Sequence, residues 1–525
     1  MTSTAEASPR GEERGRTLLV AGVVLASLAE AIAGTVLSLG RNDIIGDTYA
    51  TPDEVAWLDV GYTAFKVIGF AVTPWLIARF NLHRLVVAST AVMGLTSALA
   101  VFTANLGHLV ALRVIQGFAG GVLLVAAQTL LFLAYPSRQQ PMVQAVFAIG
   151  AVVAPATVAP ALQGWLIDSQ SWSWIFFSAV PASVGAVGLM LIAGDHASVP
   201  ASAKRFDGPG FVLLSATLVC LTYVLSQGSR WDWFEEPKIV WLTIIAAAAF
   251  LAFVAREVLA PARRTLDWSV FRDDGFAFAF FVSFVAGAAL YGSAYLVLLF
   301  PASVLAFTPT QAGSLLLPSG GLFVGSLLLA GFLIQRYGLP PIATVPFGVL
   351  SIMVAMWMLS GSTSESGRND LMQAVMLRGL GLGFLFLSIT LIAFSGLAPR
   401  ALASGIGLFN VGRQVGGLAG VAALQTLIDH QVASNQAILA AHVTAGGPAI
   451  AERLSVLTAL LVGRGMDAAS AGRAATLLLA RAVTGQSTVI AFDTAFNAVA
   501  LLFVVAAPIL IATKIGLSSV RRAQR

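Results

Sequence analysis

Residues 153–181 read VAPATVAPALQGWLIDSQSWSWIFFSAVP. Two prolines, Pro155 and Pro160, interrupt an apolar run that a short polar break separates from a second apolar run beginning at Ser173. Each proline removes a backbone donor, and within hydrocarbon the freed carbonyl must be satisfied by neighbouring helices. Gly150 and Gly164 flank the prolines and let another backbone approach closely. The stretch therefore predicts a bent, tightly packed membrane helix, a short turn and a further span. The bend serves either as a hinge or as a kink for packing alone, and both readings stay open.

The same pattern extends in both directions. Hydrophobic residues fill 58% of the 525 positions and charged residues only 10%, against the roughly one-quarter charged share of a soluble domain. A bilayer core needs about 20 apolar residues per helix. Runs of that kind lie at 17–39, 54–78, 84–104, 108–134, 141–167, 173–194, 209–228, 238–257, 275–300, 311–335, 341–360, 370–396, 403–428 and 487–513. They predict an all-α polytopic membrane protein with fourteen transmembrane helices. The first run exceeds the roughly 7–15-residue core of a signal peptide and reads as an uncleaved span. The single cysteine, Cys220, excludes an intramolecular disulfide, so helix packing must hold the fold.

Charge sets the orientation. With the N-terminus in the cytoplasm, the inner segments hold Arg79, Arg84, Arg138, Lys204, Arg205, Arg263, Arg264, Arg272, Arg336 and Arg400, whereas the short outer loops hold Arg41, Arg230, Lys238 and Arg368. That asymmetry follows the positive-inside rule, and Lys514, Arg521, Arg522 and Arg525 place the other terminus inside as well. The net charge of +5 thus reports topology. No basic stripe follows a phosphate backbone, so no nucleic-acid partner is expected. One outer segment is long: 429–486 carries helical spacing at Leu454, Leu457, Leu460 and Leu461 and again at Leu477 to Leu479, either side of a turn at Gly463 to Asp467. It is either a self-packed cap or a docking surface.

An internal repeat organises the chain. Pro74-Trp75-Leu76-Ile77-Ala78-Arg79-Phe80 is echoed 257 residues later by Gly331-Phe332-Leu333-Ile334-Gln335-Arg336-Tyr337, and Leu112-Arg113 with Gly117 and Gly121 is echoed 265 residues later by Leu377-Arg378 with Gly379 and Gly383. The expected division is a tail at 1–16, a six-helix bundle at 17–194, two intervening helices at 195–274, a second six-helix bundle at 275–513 that includes the 429–486 loop, and a basic tail at 514–525. Duplicated bundles with a substrate site between them are a known transporter architecture.

Ala159-Pro160-Ala161-Leu162-Gln163-Gly164 and Trp172-Ser173-Trp174-Ile175-Phe176-Phe177 with Pro181 resemble the fifth-span motif of the EmrB/QacA-type drug:proton antiporters of the major facilitator superfamily. Leu112-Arg113-Val114-Ile115-Gln116-Gly117 resembles that family's fourth-span motif. Trp75-Leu76-Ile77-Ala78-Arg79 with Arg84 resembles its loop between spans two and three. Departures are visible: Ala159 and Gln163 replace glycines of the fifth-span pattern, and Pro74, Ala78 and Asn81 replace loop residues. The resemblance implies the major facilitator fold, proton-driven export of hydrophobic small molecules, and a bacterial inner (cytoplasmic) membrane location. It also implies, as one partnership open to the chain, a periplasmic membrane-fusion adaptor with an outer-membrane channel.

Ionisable residues inside a membrane are costly and mark function by default. Glu30 lies deep in the first span among Ala, Leu and Ile, where desolvation favours the neutral acid; proton carriage, substrate contact and a structural pair are its three readings. The family usually has an acid near this point. Asp59 is a second proton-coupling candidate or a solvated acid at a helix start. Arg113, with its whole motif around it, is read as coupling or clamping, and Lys66 or Arg113 as the partner of Glu30. Lys66, Gln116, Gln163, Arg378, Asn410 and Arg413 are the candidates for lining a substrate cavity, and Pro155, Pro160 and Gly164 form the hinge motif. Arg413 has a second reading as a contact for Asp493.

No cofactor is expected beyond the proton motive force, and no metal. The five histidines are scattered, and neither a phosphate-binding loop nor a hydrolase or metalloprotease motif occurs, so the chain does not read as an enzyme. A dedicated exporter of one metabolite, lipid or siderophore is the alternative, and a non-transporting receptor the remote one.

Overall fold

The computed structural model describes residues 9–195, 206–259, 265–443 and 447–524. Residues 1–8, Lys204, Arg205, Arg263, Arg264 and Arg525, together with the side chains of Lys514, Arg521 and Arg522, lie outside what is described, so their part in the charge asymmetry has no structural account. Every regular element among the described residues is helical.

The helices are α1 (Pro9–Thr35, continued by Leu37–Thr48), α2 (Pro52–Ile77), α3 (Leu82–Ala100), α4 (Leu106–Ala134), α5 (Gln140–Ser169), α6 (Ser173–Ala193), α7 (Gly208–Gln227) and α8 (Pro237–Leu259). Then come α9 (Asp274–Ser303), α10 (Pro309–Tyr337), α11 (Pro341–Leu359), α12 (Arg368–Phe394), α13 (Pro399–His442), α14 (Pro448–Gly463) and α15 (Ala468–Gln524). Their starts carry local signals. Thr51 and Glu54 close a capping box on α2 with Pro52 in its first turn, Asn81 and Asn105 cap α3 and α4, and Thr308 with Gln311 repeats the box on α10.

Thirteen helices among the described residues are long and apolar enough to cross a membrane. The outward face of α8 is what a bilayer solvent dictates: Trp241, Ile244, Phe250 and Leu251 are exposed, with the buried contacts confined to one stripe. The run predicted at 403–428 falls on α13, which is not among the thirteen; its glycines, Asn410, Arg413 and Gln414 dilute the apolar signal. Yet α13 lies deep in the bundle, with Gly287 of α9 under the Arg413 carbonyl and Gly416 under the Phe284 carbonyl, so tightly that neither glycine has room for a Cβ.

The 429–486 segment differs from the expected loop. Its first part continues α13 without a break to His442, α14 covers 448–463, and its last part is the beginning of α15. At about 1.5 Å per residue the 44-residue α13 is about 66 Å long, roughly twice a hydrocarbon core of about 30 Å. The extension is tied to α15 by Asn435 to the Ser487 carbonyl and Gln436 to Thr484. Helical spacing at 454–461 and 477–479 does correspond to helices, but Val456, Leu460, Leu477 and Leu478 remain exposed.

Glycines show the duplication in packing. Gly117 and Gly121 of α4 lie against the carbonyls of Tyr62 and Lys66 on α2, and Gly379 and Gly383 of α12 lie against the carbonyls of Ser319 and Phe323 on α10. In each case two glycines four apart meet two carbonyls four apart, the small-residue contact that lets membrane helices approach closely. The two halves meet along α2 against α13, where Gly407 covers the Phe70 carbonyl, and along α5 against α10.

Helices α7 and α8 pack outside the α2–α13 seam, through Leu214, Leu218 and Phe253 against Val67 and Ile68. A polar staple holds their ends. Arg256 donates to Asp207 at 2.6, 2.9 and 3.0 Å, Thr265 adds its hydroxyl at 3.1 Å, and Glu257 accepts from the Thr265 amide and the Trp268 indole, both at 2.7 Å. The Arg256 guanidinium holds the Asp207 carboxyl below the usual carboxylate range. A depressed carboxylate contributes stability above its unfolded value, and that stability is lost as pH falls through the lowered folded value. Asp207→Asn is therefore expected to lower the unfolding temperature of the detergent-purified protein at neutral pH. The difference from wild type should shrink as the buffer is taken below pH about 4.

Candidate functional site

The predicted bend in α5 takes the form of a π-helical stretch, Ile149–Val158, containing Pro155, with Pro160 in the first turn of the α-helix that follows. A proline removes one ladder bond, and a widened turn is a common way to absorb that loss. Gly150 brings this stretch onto the Val24 carbonyl of α1, leaving no room for a side chain. Gly164 packs in the same way on the Pro309 carbonyl of α10, in the opposite half. Thr310 donates its amide to Asp168 at 2.8 Å and its hydroxyl to the Gly164 carbonyl at 3.2 Å. The α5–α10 seam is thus closed where α5 ends.

Glu30 of α1 is 2% exposed and does not stand alone among apolar groups as its sequence neighbours suggest. Lys66 Nζ of α2 lies 2.5 Å from its Oε1, and the Tyr62 hydroxyl donates to the same oxygen at 2.8 Å. Gly120 of α4 leaves the space: a Cβ there would stand 3.1 Å from Glu30 Cγ. Of the two partners the sequence left open, Lys66 is the one in contact.

Arg113 of α4 is also fully enclosed and reaches elsewhere. Its Nη1 donates to the Ala33 carbonyl of α1 at 2.6 Å and to Gln116 Oε1 at 3.2 Å, its Nε donates to the Leu58 carbonyl of α2 at 3.2 Å, and its guanidinium lies 4.0 Å from the Tyr62 ring centroid. Gln116 continues the chain to Ser97 of α3 at 3.2 Å. Tyr62 therefore has its hydroxyl on the acid and its ring under the arginine. It is the residue sequence reasoning missed. The available signal was its place one helical turn before Lys66 in an apolar span, where a buried phenol needs a partner. Asp59 is exposed on α2, outside this cluster.

Most of the expected cavity-lining residues turn into helix contacts instead. Lys66 is taken by Glu30. Gln163 bonds the Ile32 carbonyl at 2.8 Å and Thr35 at 3.0 Å, joining α5 to α1. Arg378 is 0% exposed and donates to Ser293 at 2.9 Å within its own half. Each is a polar group in an apolar run that finds a partner on a neighbouring helix. Asn410 and Arg413 of α13 do face a space. With Leu124, Gln128 and Phe147 of the first half and Phe386 and Phe409 of the second, they line a narrow gap between the halves. Arg413 is not in contact with Asp493; its Nη2 donates to Asn410 Oδ1 at 2.6 Å and its guanidinium lies 5.1 Å from the Phe386 ring centroid.

A larger cavity of about 280 Å³ opens further along the same seam, lined by Phe132, Gln140, Pro141, Ile334, Phe394 and Leu402 among others. Phe394 contacts Phe132 at 5.5 Å and Phe409 at 5.1 Å between ring centroids, forming an aromatic barrier between cavity and gap.

Residues 19–421 match the family model of the Major Facilitator Superfamily. The multidrug export protein EmrB of Haemophilus influenzae is 28% identical over 85% of this chain and 87% of its own length. The tetracenomycin C resistance and export protein of Streptomyces glaucescens is 27% identical over 81% of this chain and 78% of its own. The human organic anion transporter MFSD10 shares the fold, with a TM-score of 0.54 and 12% identity over 94% of this chain and all of that one. With apolar helices, paired-glycine packing repeated in both halves and this match over most of its length, the chain belongs to the Major Facilitator Superfamily, a multi-pass membrane transporter rather than an enzyme.

Proposed function

We propose that the protein is a proton-coupled efflux transporter of hydrophobic small molecules in a bacterial inner membrane, with fourteen spans, α13 among them, and both termini cytoplasmic. The observation that carries the reading is the buried Glu30–Lys66 pair with Tyr62 and Arg113 bridging α1, α2 and α4. Protonating Glu30 removes the counter-charge of Lys66, and an uncompensated ammonium in this site is strongly unfavourable. Release of that cost favours a different arrangement of α1, α2 and α4, and the closed contact of α5 with α10 is what such a movement would open. One proton crossing 100 mV supplies about 2.3 kcal/mol, enough for roughly a fifty-fold substrate gradient. The names of the similar relatives, exporters of drugs and of an antibiotic, support the direction of transport. The exposed leucines on α14 and α15 suit the adaptor partnership that the family resemblance implies.

The test is proton-gradient-driven drug uptake in inverted vesicles, comparing wild type with Glu30→Gln. Gradient-driven accumulation should disappear in the variant while exchange of labelled for unlabelled drug without a gradient continues. Accumulation at the wild-type level in Glu30→Gln would remove the coupling role.

A further inference from the structure

We infer that the substrate carries a negative charge, a hydrophobic organic acid whose carboxylate or equivalent anion pairs with Arg413; this rests on the transport reading above. Four cations lie within the described membrane helices, and three are enclosed by helix contacts within their own half of the protein. Lys66 has Glu30. Arg113 has two main-chain carbonyls and the Tyr62 ring. Arg378 has Ser293 and the Leu290 carbonyl and is sealed in its own half.

Arg413 differs in what it faces. Like Arg113 and Arg378 it forms no ion pair with a carboxylate among the described residues, and its hydrogen bond goes to the neutral Asn410. The carboxylate whose field reaches it is Glu30, already neutralised by Lys66. It is half-buried although it stands mid-helix, because it faces the gap between the halves. A guanidinium without a counter-charge in such a place is costly to the empty protein. The cost is offset when a ligand brings the charge, and a charge-assisted pair in a water-poor site is strong.

The surroundings specify the rest of the ligand. Phe147, Phe386 and Phe409 supply aromatic walls, while Gln128 and Asn410 can orient a polar head. This combination of a mostly apolar lining with a few placed polar groups is what small-molecule sites have. The 280 Å³ cavity is of the size of a small aromatic acid, and Phe394, which lines it, stands against Phe409, which lines the gap, so swinging of Phe394 away from Phe132 and Phe409 would join the two.

Three probes of nearly equal shape test the charge: 2-naphthoate, its neutral amide 2-naphthamide, and the cation 2-naphthylmethylammonium. Binding to the detergent-purified full chain at neutral pH should favour the carboxylate over the amide by at least about tenfold, and Arg413→Gln should abolish that preference. Asn410→Asp supplies a second route that keeps the arginine. A carboxylate placed beside the guanidinium should weaken naphthoate by about tenfold more than it weakens the amide. Equal binding of the three probes, preference for the ammonium, or an unchanged carboxylate preference in both folded variants would overturn the inference. Loss of gradient dependence in vesicle transport with all three probes would instead count against proton coupling, since binding reads the charge preference independently.

Discussion

Gly121→Val is expected to abolish recovery of folded protein. A Cβ on Gly121 already overlaps the Lys66 carbonyl and stands 3.1 Å from the Gly69 Cα. The obstructing atoms are backbone on both sides, so no side-chain rotation relieves the clash. Overpacking a core against mobile side chains costs about 1–3 kcal/mol, and an immovable helix backbone puts valine at the top of that range or beyond it. The displacement also acts where function is proposed, because the carbonyl that must move belongs to Lys66, the partner of Glu30. Gly383→Val should behave alike, since its Cβ would meet Ser326 and the Phe323 carbonyl at the equivalent contact of α12 on α10. Gly188→Ala in α6 gives the opposite sign. Nothing lies within 4 Å of a Cβ there, and removing glycine from a helix interior gains about 0.5–1 kcal/mol. Thermal unfolding followed by size-exclusion chromatography in detergent reads all three. Wild-type recovery of Gly121→Val would mean that α2 and α4 are not in backbone contact.

The apolar runs, the repeated glycines and the two prolines of α5 were legible because they act through composition and spacing alone. A glycine pair four apart beside a membrane arginine already says that another helix comes close. Helix rotation was not legible, and the site depends on it. Lys66, Gln163 and Arg378 looked like cavity residues because each is polar in an apolar run, but only the placement of α1 against α2, α1 against α5 and α9 against α12 reveals that a neighbouring helix satisfies them. A basic partner for Glu30 was legible as Lys66 or Arg113, but only the placement of α2 and α4 shows that Lys66 makes the contact and that Tyr62 and Gly120 complete the surroundings. The length of α13 escaped for a related reason. Hydropathy marks where a helix leaves hydrocarbon, and the residues from Asp429 to His442 are polar yet rich in helix-forming Ala and Gln, so the helix continues after the apolar signal has ended.

Arg113→Lys is expected to reduce gradient-driven transport by at least about tenfold. The guanidinium joins two helices at once, reaching the Ala33 carbonyl of α1 and the Leu58 carbonyl of α2 while standing 4.0 Å from the Tyr62 ring centroid. An ammonium keeps the charge but lacks the planar fork, so it can serve one carbonyl well and not both. Losing one hydrogen bond from a buried charged group costs about 1.5–3 kcal/mol, and about 1.4 kcal/mol at the rate-limiting movement is already tenfold. The choice between a coupling residue and a clamp turns on which process suffers. The Tyr62 hydroxyl is bonded to Glu30, so the arginine that holds the Tyr62 ring also holds the group that senses the acid. Arg113→Lys should therefore lower proton-driven accumulation far more than gradient-free exchange in the same vesicles. Arg378→Lys is the matched comparison: it removes a buried fork at the corresponding place of the second half, where it donates to Ser293 and the Leu290 carbonyl and, among the described residues, no Tyr–Glu–Lys cluster adjoins it. That variant should lose thermal stability and slow both processes by the same factor. Equal slowing of accumulation and exchange in Arg113→Lys would reduce Arg113 to the same clamp, and leave proton sensing to Glu30, Lys66 and Tyr62 alone.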